Sequence, residues 1–112
     1  MPNRLEQPVR QVLSLLAKRQ YAELESLTEG VRLKATDIAN VVADYGRTII
    51  VPPDDAYQLM DVVEVTATLP PRWSITMPIW SKEEGRSDLS VELTVIEDGR
   101  SYRIELDDIH VL

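Results

Sequence analysis

Asp107-Asp108-Ile109-His110 is the densest group of potential metal ligands in the chain, with two carboxylates and the single histidine close together. Consecutive strand positions point to opposite faces, and no second His and no Cys is present to complete a transition-metal set. The competing reading is a bulge whose aspartates bond local backbone N–H groups. As a general base, His110 needs an oriented partner or a nucleophile, and the spacing assigns neither. Ser87-Asp88 lacks the G-x-S-x-G setting of an acyl-transfer serine, and the four glycines are scattered over turn and cap positions rather than gathered into a phosphate loop. The residues therefore predict no catalytic centre, no metal and no cofactor.

Recognition chemistry is better represented. Glu83-Glu84-Gly85-Arg86-Ser87-Asp88 carries three carboxylates and a forked guanidinium between Trp80 and Leu89, a polar rim beside an apolar anchor. Alternatively Arg86 pairs with a neighbouring carboxylate and orders a hairpin loop. Trp80 falls out of step with the apolar face of its strand, so it either caps the core beneath a loop or anchors a partner or a second copy of the chain. The partner-binding residues expected on this reading are Trp80, Glu83, Glu84, Arg86 and Asp88.

These groups stand in a run of strands. Trp73, Ile75, Met77 and Ile79 alternate with Ser74, Thr76 and Pro78; Leu89, Val91, Leu93 and Val95 alternate with Ser90, Glu92 and Thr94; Tyr102, Ile104 and Leu106 alternate with Arg103 and Glu105. Three strands thus share one apolar face. Asp98-Gly99 predicts a type I′ hairpin turn. Pro78 puts its strand at an edge, or sits where its missing donor faces no neighbour. The apolar parity changes between Leu106 and Ile109, which predicts a bulge across Asp107-Asp108 and a bent sheet.

The first half reads as helices. Pro8 suits a first turn, with Val9, Val12, Leu13 and Leu16 at helical spacing up to Lys18-Arg19. Tyr21, Leu24 and Leu27 mark a second helix closed by Gly30, and Val31–Leu33 is a small strand or a linker. Thr36 is the expected N-cap of a third helix that carries Ile38, Val41, Val42 and Tyr45 and ends at Gly46. Thr48–Val51 is strand-like up to Pro52-Pro53, residues 54–58 form a helical turn or a loop, and residues 61–69 read as strand before Pro70-Pro71. Helices followed by consecutive strands predict an α+β domain, residues 1–112 as one unit, with N-terminal helices on one face of a curved, mainly antiparallel sheet.

The net charge of −7 is unevenly spread. Residues 1–53 hold seven basic and six acidic side chains, whereas residues 54–112 hold five basic and thirteen acidic. An acidic sheet half repels a phosphate backbone, which argues against nucleic acid and for a basic protein partner. The first eight residues lack the apolar run of a signal peptide, and no stretch approaches the ~20 apolar residues of a membrane span. Absence of cysteine fits a reducing compartment, so the expectation is a cytoplasmic protein with no membrane association.

The helical hairpin, the third helix ending in Tyr45-Gly46 and the C-terminal meander resemble the cone-shaped nuclear-transport-factor-2-like superfamily, a cystatin-like arrangement. The phrases Y-G-R-T-I-I-V-P-P, P-P-R-W-S, W-S-K-E-E-G-R-S-D-L and D-D-I-H-V-L are similar to a small bacterial family of uncharacterised proteins, a domain of unknown function. The superfamily resemblance implies a conical interior that either holds a small ligand or is filled, leaving the outside for partners. Inward strand positions are uniformly apolar here, so a filled cone is the simpler expectation. A pocket that binds or transforms a small apolar ligand would be lined by Tyr45, Tyr57, Asp61, Trp73 and Tyr102. The leading expectation is a non-enzymatic protein-binding module, of the toxin-neutralising (immunity-type) kind or a homodimer through the open sheet face.

Overall fold

A computed structural model describes residues 5–111. Helices α1 (Glu6–Ala17), α2 (Tyr21–Thr28) and α3 (Ala35–Tyr45) precede β1 (Ile49–Ile50), a 3-10 segment (Asp54–Leu59), β2 (Asp61–Val65), β3 (Arg72–Ser81), β4 (Gly85–Asp98) and β5 (Ser101–Val111). Val9, Val12, Leu13 and Leu16, on one stripe of α1, are all buried. Helix α2 closes through Glu29 and Gly30, both left-handed at φ 61° and 58°. Residues 31–33 are a linker.

Thr36 is not the cap of α3, which begins one residue earlier. The Lys34 N–H donates to the Asp37 carboxylate at 3.0 Å and the Ala35 N–H to the Glu25 carboxylate at 2.7 Å. Two charged acceptors satisfy the open donors more strongly than one hydroxyl could. Gly46, at φ 72°, ends the helix as its sequence position predicts.

The sheet is antiparallel and curled, in the order β1-β3-β4-β5, with β2 also paired to β3. Strand β3 is therefore interior rather than an edge: β2 covers Arg72–Thr76 and β1 covers Trp80–Ser81 along the same side. Pro78 lies in the gap between them, where β3 is paired only to β4, so an imino acid is tolerated in a central strand. Opposite it, Pro78 pairs with Ser90 and Trp80 with Arg86, so β4 carries two extra residues there.

The expected bulge in β5 is present. Glu92 pairs with Asp108 and Leu93 with Leu106, which leaves Asp107 unmatched. The final hairpin differs in its turn: Asp98 pairs with Ser101, Gly99-Arg100 are the central residues, and only Gly99 has positive φ, at 67°. That is the pattern of type II′ rather than I′. Strand β2 stops at Val65, four residues short of Leu69. A turn with Ala67 at φ 59° follows, and the Thr68 hydroxyl donates to the Val65 carbonyl.

The architecture is thus α+β, with the helices against the inner face of the curled sheet. Leu16, Leu24, Ile38, Ile75, Met77, Val91, Leu93, Leu106 and Ile109 belong to one buried apolar cluster to which each of the three helices contributes. Among the described residues no helix is long and apolar enough to cross a membrane.

Candidate functional site

The β3–β4 loop is tied down by its own acids. Glu83 accepts the Thr48 N–H and the Thr48 hydroxyl, both at 2.8 Å, while Lys82 N–H donates to the Thr48 carbonyl. Glu84 accepts from the Tyr45 hydroxyl at 2.9 Å and from the Ser81 hydroxyl at 2.8 Å. These bonds fasten the loop to the end of α3 and to the chain before β1. Two of the expected recognition carboxylates thus also clasp the loop while remaining exposed, and Tyr45 belongs to the clasp. Arg86 and Asp88 are exposed and form no ion pair with one another. Trp80 is half-buried, packs against the core and stands in register with Ile50 of β1.

Hydrogen bonds from the Thr48 backbone and then from its hydroxyl hold the Glu83 carboxyl below its ordinary 4.5. A depressed carboxylate contributes stability that is present above its unfolded-state value and is lost as pH falls through the folded-state value. Glu83→Gln is expected to lower the melting temperature at pH 7. The gap from wild type should shrink toward zero as the medium is acidified below 4.5, in thermal scans at matched ionic strength. A gap independent of pH would mean that the carboxylate is not the clasp.

The five residues expected to line a pocket do not converge. Tyr57 is 2% exposed and belongs to the core. Trp73 donates from Nε1 to Glu97 at 2.6 Å, and Tyr102 pairs in register with Glu97, at the far end of β4 from the Tyr45–Glu84 contact. Asp61 is exposed at the start of β2. None of the five lines either of two recesses of about 400 Å³, one beside α1 and α3 at Arg19 and Arg47, the other on the outer side of α1 at Arg10 and Leu15.

Strand register instead assembles a surface on the outer face. Asp61, Thr76, Glu92 and Asp108 stand in one row across β2, β3, β4 and β5, and His110 stands beside Ser90 in the next. At one margin, β2 pairs only with β3 among the described residues, so its other edge is unpaired by them. Val63 on that strand is 55% exposed, Val65 39%, and Leu69 just beyond it 95%. Alternation groups Val63, Val65 and Leu69 on one side of the segment, but it carries no sign that this side stays exposed, because exposure depends on which strand forms the margin of the sheet. Glu92 was missed for a related reason: its neighbours depend on the register that the bulge at Asp107 sets.

No curated protein and no solved structure matches the chain. A family model does, over residues 13–112, a span that takes in the end of α1, the other helices, the clasped loop, the β2 edge and the acidic row. The chain belongs to the family described as domain of unknown function DUF7668.

Proposed function

We propose that this chain is a non-enzymatic protein-binding module that receives an extended, basic segment of a partner along β2. The observation that carries the reading is the unpaired β2 edge with Val63 and Val65 exposed. An open edge offers main-chain donors and acceptors to an added strand, and alternate side chains supply specificity. Asp61 and Glu64 on the same strand are exposed, and residues 54–112 carry thirteen acidic against five basic side chains, which favours a positively charged segment. A toxin-neutralising role fits that complementarity, since such a protein masks a basic surface. The absence of cysteine supports the cytoplasm as the compartment. Helices followed by a curled meander support kinship with nuclear-transport-factor-2-like cones of bacterial proteins, in the form whose interior is filled and whose exterior binds. The scattering of Tyr45, Tyr57, Asp61, Trp73 and Tyr102 weighs against the pocket alternative.

The test compares wild type with Asp61→Lys/Val63→Lys/Glu64→Lys in affinity capture from host lysate at low and high salt. All three positions are exposed, so each change should alter stability by no more than about 0.5 kcal/mol. A stoichiometric partner held at low salt, released at high salt and lost in the variant is the expected result. An empty capture, or a partner retained equally by the variant, overturns the reading. A concentration-dependent dimer abolished by the same variant replaces the foreign partner with a second copy.

A further inference from the structure

We propose that Glu92, Asp108 and His110 bind one divalent transition-metal ion of the zinc class on the outer face of β4 and β5. Residues 108 and 110 share a face by strand alternation, and register sets Glu92 directly opposite Asp108. One donor atom from each of the three lies within 4.8 Å of the others. His110 Nδ1 is 2.9 Å from Asp108 Oδ2 and 3.9 Å from Glu92 Oε2. A tetrahedral ion with bonds near 2.0–2.1 Å separates its donors by about 3.3 Å, so small side-chain adjustments bring all three into range.

Two further observations point to a cation at this place. His110 Nδ1 is fully buried and makes no hydrogen bond, although the ring as a whole is about a third exposed. A buried ring nitrogen that sits 2.9 Å from one carboxylate and 3.9 Å from another, without hydrogen-bond geometry to either, is placed as a metal-ligating nitrogen would be. Further, no Lys or Arg among the described residues pairs with Glu92 or Asp108, and Arg32, which reaches the adjacent Asp107, is engaged there.

The bulge separates the two aspartates by task. Asp107, the extra residue, accepts the Thr94 hydroxyl at 2.6 Å and so is withdrawn from the cluster. Asp108 Oδ1 accepts the Ile109 N–H at 2.9 Å, which orients the carboxylate and leaves Oδ2 for the ion. Outer bonds of this kind commonly fix metal ligands. One imidazole and two carboxylates suit Zn2+ or its neighbours rather than Ca2+ or Mg2+, which take six or more oxygens or keep most of their water.

Because His110 is the only histidine, its ring is an unambiguous reporter in untagged protein. Chelator-stripped protein is titrated with Zn2+ while the imidazole nitrogens are followed by 1H–15N NMR, and with Co2+ while visible absorption is followed. The expected result is one equivalent bound, with Nδ1 shifted as the ligating nitrogen. Glu92→Gln and Asp108→Asn should each weaken binding by more than the roughly 10–100-fold that loss of an outer partner costs. His110→Gln should abolish the cobalt band, whereas Asp44→Asn, an exposed acid on α3 outside the cluster, should bind as wild type does. The proposal is overturned if the ring nitrogens do not move at millimolar Zn2+ in folded protein. It is equally overturned if Glu92→Gln and Asp108→Asn bind as tightly as wild type, which would leave an imidazolium paired with two carboxylates.

Discussion

Leu93→Ala is expected to destabilise the protein by about 2–5 kcal/mol, the range for truncating a fully buried leucine. Leu93 is completely inaccessible and faces Ile75 across one strand pair and Leu106 across the other, with Val91 and Val95 on the same face of its own strand. It stands immediately beside the β5 bulge, where the register changes between Glu92 and Leu93. Two well-paired strands flank this position, so the backbone has little freedom to close over the lost atoms and most of the cavity should persist. Set against a typical stability of about 5–15 kcal/mol, the loss is large. In urea titration the midpoint should fall while the slope is unchanged, and the melting temperature should drop by roughly 8–25 °C. Val63→Ala, on the exposed β2 edge, should stay within about 0.5 kcal/mol. A comparable loss at the two positions would mean that the sheet is not packed on its inner face alone.

Where one face of an element is buried, its pattern could be read from the residues. The α1 stripe, the three alternating strands and the parity change at Asp107 each follow from a single apolar surface, and each appears in the structure at the expected position. Boundaries set by long-range polar contacts could not be read that way. Glu25 lies ten residues before the Ala35 N–H that it caps, and Thr48 lies thirty-five before Glu83. The same limit applied to Pro78: local chemistry offered an edge or an unpaired position, and only the gap between β1 and β2 decided between them.

The surface residues divide in the same manner. Glu83 and Glu84 read as recognition charges because their local setting is a polar loop, and the approach of Tyr45 and Thr48 ties both acids, still exposed, to the end of α3 and the chain before β1. His110 and Asp108 were visible as a pair, but Glu92 joins them only through cross-strand register. Val63 and Val65 fall on one side of their strand by alternation, but alternation does not say that this side is open. Which strand forms the margin of a sheet is a property of the whole topology rather than of the strand itself.

Tyr57→Ala is expected to cost about 3–5 kcal/mol, the range for removing a buried aromatic ring, and Tyr57→Phe less than about 1 kcal/mol. The ring is 2% exposed in the 3-10 segment, and the Arg10 guanidinium lies over it at 4.1 Å from the centroid. Arg10 also donates to Glu6 at 2.9 Å and to Asp54 at 3.1 Å, so one cation joins α1, the 3-10 segment and the face of the ring. Burial pushes the Tyr57 hydroxyl above its ordinary 10.0, so the phenol stays neutral through the physiological range and the ring acts as packing and as a cation-binding face. Phenylalanine preserves both roles. If the ring instead lined a ligand pocket, alanine would leave stability nearly intact and phenylalanine would change ligand binding. Thermal and urea melts of the two variants therefore separate the cases: a large loss for alanine with near-wild-type phenylalanine assigns Tyr57 to the core, and a loss under about 1 kcal/mol for alanine removes it from the α1 contact.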